Sequence, residues 1–289
     1  MSHSNQLRFI FFGEDVFSLT VLESLVNSNL NLKPLNVVML NPISTSGKRL
    51  VKYCQNNNIS ILQTESVKSE EFLKNFDGLS FDLIISAHFQ RILPEKLFKK
   101  ANLGGINLHP SLLPKYRGMS PQHWPIIFGD SNTGVTVHLI DEGVDTGNIL
   151  CQELISLSPD IYIHELQKKF LAVYKRIVVN AVKKLINGDR GTVQPSYKLP
   201  YFGKIKDEDM VIRFNTSIDR AYGMIRAFSF PYQGARFENI RIMKAVPASS
   251  DIIDFFKNSK AAFDIHERNS SFYLVLKDGA LELIKWNKI

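Results

Sequence analysis

Short apolar runs alternate with segments of helical periodicity along the first part of the chain. Apolar runs at residues 7–12, 35–40, 82–86 and 105–108 predict buried strands. After the first run, apolar residues recur at helical spacing over residues 16–26, which predicts a helix. Strand and helix therefore alternate, and this alternation predicts an α/β fold with a mostly parallel sheet and helices on both faces.

A change of pattern follows the longest helical segment. Residues 163–185 carry apolar side chains every three or four positions, and Asn187-Gly188 is a stop signal for a helix. The next twenty or so residues are rich in Gly, Pro and charge, which is typical of an interdomain linker. We therefore expect a first domain over residues 1–187, a linker over residues 188–207 and a second domain over residues 208–289.

The last part of the chain has the pattern of a small β-rich carboxyl-terminal domain. Residues 217–228 predict a helix and residues 240–246 predict a strand. Two further strands, at residues 272–276 and 281–286, flank the dipeptide Asp278-Gly279, which is a strong hairpin signal.

Three separated polar residues stand where predicted strands end. Asn107 and His109 straddle the end of the strand at residues 105–108, and Asp145 lies in a glycine-rich loop after the apolar run at residues 135–140. Ligands of open α/β sheets bind beyond the carboxyl ends of strands, and the intervening length suits a crossover between neighbouring parallel strands. We therefore expect the three side chains to meet. Taken singly, each has another interpretation: Asn107 as a turn former, His109 as a buried histidine with satisfied hydrogen bonds, and Asp145 as part of an Asx turn.

Composition narrows the possible partners only slightly. The chain has 289 residues, 44% of them hydrophobic, and a formal net charge of +7, which favours anionic partners in general. No block of five basic residues occurs, so scattered surface lysines explain the charge equally well. The two cysteines and seven histidines lack metal-ligand spacing, and no metal is expected. No apolar run resembles a signal peptide or approaches the roughly 20 residues of a membrane span, so we expect a cytoplasmic protein without a membrane partner.

A family resemblance rests on these residues. Asn107, His109 and Asp145, with SLLPKYRG after the histidine and GVDTG at the end, resemble the signature of the 10-formyltetrahydrofolate-dependent formyltransferases. The resemblance implies a Rossmann-like catalytic domain and 10-formyltetrahydrofolate as co-substrate. In formyl transfer to an amine, Asn107 and His109 would stabilise the oxyanion. Asp145 would orient His109 or move a proton through a water.

The resemblance also implies which residues bind folate. The segment after the strand at residues 82–86 contributes to the pterin pocket of these enzymes, together with the loop that carries Asp145. The predicted cofactor-binding residues are Phe89, Gln90, Arg91, Ile92, Leu93, Asp141, Glu142 and Val144. Without the resemblance, Ile92 and Leu93 would be interpreted as helix-packing core. We interpret His88 as a loop residue and His138 as structural or adjacent to the cofactor. A dinucleotide site is poorly supported, because the first β-α turn lacks GxGxxG.

The acceptor amine is suggested by three parts of the chain. The tail beyond Lys206 argues against the glycinamide ribonucleotide branch of the family, whose members resemble only the catalytic domain. Residues 41–53 are short, whereas the methionyl-tRNA enzymes carry a longer basic insertion there. The segments MSPQHW, IRA and PYQGA look more like those of sugar N-formyltransferases, although methionyl-tRNA formyltransferases have a segment related to the last two.

We therefore expect the acceptor to be an amino deoxy sugar linked to dTDP or UDP, used in surface polysaccharide (lipopolysaccharide) synthesis. Nucleic acid is not expected as a partner. The predicted substrate-binding residues are Lys115, Arg117, Tyr201 and Phe202. By resemblance the protein would be a homodimer. Two alternatives stay open: a methionyl-tRNA formyltransferase, and a catalytically inactive folate-binding module.

Overall fold

The computed structural model describes residues 6–195, 199–261 and 263–289. Contacts between residues group the chain into two compact units. The first unit comprises Met1–Arg117, Gly134–Leu154 and Phe170–Tyr201. The second unit comprises Gly118–Thr133, Ile155–Lys169 and Phe202–Ile289. The domain and linker boundaries expected from the sequence stay predictions.

A seven-stranded, mostly parallel sheet organises the first part of the chain, as predicted. Its strands lie in the order β3-β2-β1-β4-β5-β6-β7. They are β1 (Leu7–Gly13), β2 (Leu32–Leu40), β3 (Ser60–Thr64), β4 (Leu83–Ala87), β5 (Gly105–His109), β6 (Asn132–Leu139) and β7 (Ile149–Ser156). Strands β1 to β5 pair in parallel. The helices between and after these strands are α1 (Val16–Val26), α2 (Lys48–Asn56), α3 (Glu70–Lys74), α4 (Glu95–Phe98), α5 (Trp124–Phe128) and α6 (Ile163–Ile186).

The apolar runs of the strands form the core because both faces of a parallel sheet are covered. Successive side chains of β1 point to opposite faces of the sheet. Ile10 and Phe12, which share one face, pack with Phe72, Phe76 and Phe98 in one buried cluster. The first helix begins after Asp15, whose carboxylate accepts hydrogen bonds from the backbone N–H groups of residues 17 and 18.

The predicted parallel pairing of the strands around the site is wrong. Strand β6 runs antiparallel to β5, with Asn107 opposite His138 and His109 opposite Thr136. The connection between the two strands contains only α5, which has five residues and spans about 7–8 Å. A five-residue strand spans about 16 Å, so this helix is too short to return the chain to the starting edge of the sheet.

The carboxyl-terminal part of the chain contains a separate antiparallel sheet, as the pattern predicted. Its five strands lie in the order β10-β11-β12-β9-β8. They are β8 (Ala235–Phe237), β9 (Ile240–Pro247), β10 (Asp264–Arg268), β11 (Ser271–Leu276) and β12 (Gly279–Lys288), accompanied by α7 (Ile218–Phe228) and α8 (Ser250–Asn258). Leu276 pairs with Gly279, so the predicted hairpin turns within two residues, Lys277 and Asp278. Strands β8 and β10 and helix α8 were not predicted. Across the described ranges, no helix has both the length and the apolar character needed to cross a membrane.

Candidate active site

The candidate site lies on one face of the sheet at strands β5 and β6. Side chains two positions apart on a strand share a face, so Asn107 and His109 of β5 point the same way. His138 lies directly opposite Asn107 in the antiparallel ladder and therefore points to the same face. The site is thus built across a pair of strands, and it does not depend on two parallel strands ending at a common edge.

Asp145 joins these three side chains. Its carboxylate oxygens lie 3.4 Å from Asn107 Nδ2, 3.5 Å from His109 Nδ1 and 3.4 Å from His138 Nε2. The predicted meeting of Asn107, His109 and Asp145 is confirmed as geometry. Their catalytic roles stay a proposal. His138, expected only as a structural or cofactor-adjacent residue, is a fourth member of the cluster.

The tautomer of His109 is set by a backbone carbonyl. His109 Nε2 lies 2.9 Å from the carbonyl oxygen of Tyr116, which can only accept, so Nε2 carries a hydrogen. Burial lowers the pKa of His109, and the attraction of Asp145 offsets this only in part. In the neutral ring, Nδ1 has a lone pair that faces Asp145. The His109–Asp145 pair therefore has an open position for one proton between the ring nitrogen and the carboxylate.

His138 fixes the orientation of Asn107. His138 Nδ1 lies 2.8 Å from the carbonyl oxygen of Leu139 and donates to it, which leaves Nε2 as the nitrogen that can accept. The amide nitrogen of Asn107 lies 3.2 Å from that Nε2 and donates to it. Its contact with Asp145 is long, at 3.4 Å, and a hydrogen bond of that length is weak. This second N–H is therefore the more available of the two for another acceptor.

The loop that carries Asp145 has a tightly specified backbone. Asp145 has a φ of 53°, in the left-handed region that Asp tolerates better than most residues. Asp141 Oδ1 accepts from the backbone N–H of Gly143 at 3.1 Å and from the hydroxyl of Thr146 at 2.6 Å. A Cβ on Gly147 would overlap the carbonyl oxygen of Leu139, so only glycine fits there.

Gln194 also contacts this loop, and sequence reasoning missed it. Its side chain is only 6% exposed. Nε2 donates to the carbonyl oxygens of Asp145 at 2.9 Å and Gly147 at 2.8 Å, and Oε1 accepts from Arg117 Nη2 at 2.7 Å. The residue falls in the segment predicted as a linker, and its surrounding sequence gives no signal of burial.

A second polar chain lies at the carboxyl ends of β1 and β4. His88 Nδ1 is 3.1 Å from Asp15 Oδ2, and His88 Nε2 is 2.8 Å from the hydroxyl of the buried Tyr174. Burial acts to raise the pKa of Asp15, but His88 and the hydrogen bonds from Ser18 together outweigh it, and the pKa is lowered. His88 thus anchors the start of the predicted folate loop, with its own φ at 51°.

The predicted folate residues divide into buried and exposed groups. Leu93 lies in the buried core cluster, and Phe89 packs edge-on against Phe12 at a ring distance of 5.2 Å. Ile92 is 57% exposed and Val144 is 37% exposed, although both are apolar. Gln90, Arg91, Asp141 and Glu142 are also exposed.

The two predicted folate loops border the same apolar cluster. Phe89 and Ile140 both pack against it from partly buried positions. The backbone N–H of Gln90 donates to Glu14 Oε2 at 3.0 Å, which fixes the first loop. Burial raises the pKa of this Glu14 carboxyl. Exposed apolar side chains on two fixed loops offer a surface for a flat ligand.

The predicted acceptor residues differ in burial and in the partners they contact. Arg117 is half-buried and reaches the Asp145 loop through Gln194. Lys115 and Tyr201 are exposed. Phe202 packs within the second unit, with its ring centroid 4.9 Å from that of Trp124. Within the described ranges, no group of three His, Cys, Asp or Glu side chains could hold a metal ion.

Comparisons with known proteins identify the class. The sequence model of the family described as "Formyl transferase" matches residues 36–182, and the chain belongs to this family. A methionyl-tRNA formyltransferase from Syntrophus aciditrophicus is 33% identical over 84% of this chain and 80% of its own length. One from Flavobacterium johnsoniae is 31% identical over 80% of this chain and 74% of its own length. The protein is therefore a formyltransferase.

Solved structures share the fold over almost the whole chain. The sugar 3N-formyl transferase WlaRD, crystallised with dTDP and 5-N-formyl-THF, superposes with a TM-score of 0.73 at 22% identity, covering 99% of this chain and 100% of its own. An N-formyltransferase from Helicobacter canadensis, in complex with folinic acid and dTDP-3-aminofucose, superposes with a TM-score of 0.74 at 21% identity, covering 97% of this chain and 100% of its own. At these identities the likeness shows the fold.

Proposed function

We propose that this formyltransferase moves the formyl group of 10-formyltetrahydrofolate to the amine of an amino deoxy sugar linked to dTDP or UDP. The observation that carries the proposal is that the carboxylate of Asp145 lies 3.4 Å from Asn107 and 3.5 Å from His109 on one largely buried face of the sheet. An amide donor, an imidazole and a carboxylate in contact supply the groups that acyl transfer to an amine requires.

The chemistry follows from the proton positions. The neutral amine nitrogen attacks the formyl carbon, and the C=O electrons move to oxygen, where Asn107 donates to the developing charge. The His109–Asp145 pair takes the proton that the amine nitrogen loses. The C=O bond of the formyl group then re-forms as the bond between the formyl carbon and N10 of the folate breaks, and the proton held by the pair passes to N10 as tetrahydrofolate leaves. No metal ion is needed for these steps.

The loops around residues 88–94 and 141–147 support folate as the formyl donor. Ile92 and Val144 are exposed apolar side chains on loops that flank one core cluster, which suits a pterin ring. The exposed Arg91 is a cation beside this surface, and a guanidinium suits the carboxylates of a folate tail. The solved structures crystallised with formylated folates have this fold.

The sugar acceptor is supported by what lies between β2 and α2. Strand β2 ends at Leu40 and α2 begins at Lys48, so the connection has no room for a long basic insertion. Two similar folds were crystallised with dTDP or a dTDP-amino sugar. We further propose a cytoplasmic homodimer whose product enters surface polysaccharide synthesis, such as that of lipopolysaccharide.

Methionyl-tRNA is the second candidate acceptor. It is favoured by the sequence relatives named methionyl-tRNA formyltransferase, up to 33% identical, and by the net charge of +7. An inactive folate-binding module is the third possibility. The retention and contact of all three polar residues argue against it.

One assay separates the three candidates. The purified protein is mixed with 10-formyltetrahydrofolate and with dTDP-3-aminofucose, a UDP-linked amino sugar or methionyl-tRNA, and release of tetrahydrofolate is followed. We expect kcat/KM for an amino-sugar nucleotide to exceed that for methionyl-tRNA by at least about a hundredfold. The reverse preference would select the tRNA enzyme. Folate binding without release from any acceptor would select the module.

A further inference from the structure

A short strap, residues 190–194, lies along the chain that leaves the Asp145 loop. Asn148 Nδ2 donates to the carbonyl oxygen of Arg190 at 3.0 Å. Ile149 and Thr192 exchange two backbone hydrogen bonds of 2.8 and 2.9 Å. Gly191 has a φ of 71°, and a Cβ there would lie 2.7 Å from the carbonyl oxygen of Ile149. This part of the predicted linker is therefore fixed against the candidate site.

The side chain of Gln194 ends the strap with every polar group paired. Its amide nitrogen has two hydrogens, and the carbonyl oxygens of Asp145 and Gly147 accept one each. Its amide oxygen accepts from Arg117. The opposite orientation of the amide would set an oxygen against two carbonyl oxygens and a nitrogen against a guanidinium. The orientation is thus determined by the surroundings.

The two hydrogen bonds hold the backbone on either side of Thr146. Asp145 has a left-handed φ of 53°, a conformation that persists only when neighbouring contacts enforce it. Gln194 Nε2 donates a hydrogen bond directly to the backbone carbonyl oxygen of Asp145. A shift of about 1 Å in a carboxylate that contacts Asn107 and His109 would change the catalytic geometry substantially.

Arg117 keeps donors available beyond its bond to Gln194. Its Nη2 is 2.7 Å from Gln194 Oε1, while its buried Nε has no hydrogen-bond partner among the described residues. Because Nε is enclosed by protein, a phosphate oxygen of the acceptor would meet the remaining N–H groups of this half-buried guanidinium. Gln194 therefore links Arg117, the group expected to meet the acceptor, to the backbone of Asp145, whose carboxylate is proposed to serve the proton transfer.

We infer that Gln194 is a positioning residue that couples acceptor-phosphate binding at Arg117 to the placement of Asp145. The inference rests on the proposed roles of Asp145 and Arg117. A residue that only stiffens the strap would change stability and leave the chemical step unaltered. A positioning residue would change the chemical step and its pH dependence, as groups that orient catalytic ligands do.

The test uses steady-state kinetics of Gln194→Met and Gln194→Glu, with the dTDP- or UDP-amino sugar that supports release. We expect Gln194→Met to lower kcat by about 10- to 100-fold, to raise the acceptor KM and to displace the pH–rate profile, with folate affinity within about threefold of wild type. Gln194→Glu keeps an acceptor for Arg117 but sets an oxygen against the two carbonyls. It should therefore lower kcat more than it raises the acceptor KM.

Asn148→Ala is the matched control. It removes a strap hydrogen bond that reaches neither Asp145 nor Arg117, and we expect its kcat within about twofold of wild type. The double variant Arg117→Met/Gln194→Met should be no more than about threefold worse than the poorer single variant, because coupled residues are not additive.

The inference is overturned if Gln194→Met keeps kcat within twofold with an unaltered pH profile. It is also overturned if Asn148→Ala loses as much turnover, or if the losses at Arg117 and Gln194 multiply independently. Asp145→Asn is measured in parallel. Normal turnover of that variant would refute the proposed function itself, whereas an inactive Asp145→Asn beside a normal Gln194→Met refutes only the coupling.

Discussion

Two buried histidines, one in each unit, have opposite surroundings. His109 and His123 are each only 4% exposed. His109 donates to a carbonyl oxygen and faces the carboxylate of Asp145. His123 packs against the rings of Phe228 and Tyr232, and its Nε2 has no hydrogen-bond partner among the described residues. Burial is therefore the same, and only the convergence of polar partners separates a candidate catalytic group from a packed one.

The electrostatics of the two histidines reinforce this contrast. Burial lowers the pKa of His123 to about 4, and one backbone contact, to Ser120, opposes it. Burial also lowers the pKa of His109, but there Asp145 and the Tyr116 carbonyl both oppose it. The second unit thus holds a neutral ring as a packing element. The first unit holds a ring beside a carboxylate, where a proton can be accepted.

The largest expected effect is the difference in kcat between two single variants that carry the same substitution, one at His109 and the other at His123. His109→Gln removes the ring nitrogen that faces Asp145, and we expect kcat to fall by about a hundredfold to a thousandfold. His123→Gln alters only the aromatic packing, and we expect kcat within about threefold of wild type. Tetrahydrofolate release measures both. Equal losses in the two variants would remove the distinction between the two histidines.

A smaller effect, on the free energy of unfolding, is expected when a glycine in the Asp145 loop is replaced by alanine and compared with the same replacement outside the loop. A Cβ on Gly147 would overlap the carbonyl oxygen of Leu139, whereas one on Gly203 would meet no heavy atom within 4 Å. Gly147→Ala should lower the free energy of unfolding by about 2–3 kcal/mol, and Gly203→Ala should change it by less than about 0.5 kcal/mol. Urea unfolding at pH 7 measures both. Comparable stabilities would show that the loop backbone is not tightly specified.

The smallest expected effect is a pH dependence of the free energy of unfolding that His123, in the second unit, produces. The folded pKa of His123 is about 4, below the ordinary value of 6.5, so the unfolded chain binds more protons between these values. Stability should therefore decrease as the pH falls from about 6.5 toward 4. Between pH 7 and pH 5 this histidine contributes about 2 kcal/mol of that loss.

His123→Gln isolates this contribution. The variant lacks the titrating ring, so its free energy of unfolding should fall by about 2 kcal/mol less than that of wild type over the same pH interval. All other residues are the same in both proteins, so their contributions cancel in the difference. An identical acid sensitivity of variant and wild type would show that His123 titrates normally.

Much of the sheet could be predicted because local pattern determines it. The apolar runs at residues 7–12 and 105–108 became β1 and β5, and Asp278-Gly279 marked a real hairpin. Asn107 and His109 share a face by strand alternation alone. Helix α8 was missed because its nine residues mix apolar and acidic positions too briefly to show a clear period.

The rest of the site depends on contacts between distant segments. The antiparallel register of β5 and β6 sets His138 opposite Asn107, and periodicity gives no information on strand direction. Gln194 reaches Asp145 from a segment whose composition is typical of a linker. Leu93 shows the same limit, since its apolar character fits both a folate pocket and the core cluster in which it lies.

Asp145→Asn tests the central claim most directly, when kcat and folate affinity are measured on one preparation. The substitution keeps the size of the side chain and removes the charge that attracts a proton to His109. We expect kcat to fall by at least about a hundredfold while the Kd for the folate stays within about threefold of wild type. Turnover near that of wild type, with folate bound normally, would contradict the assignment of Asp145 and with it the proposed proton path.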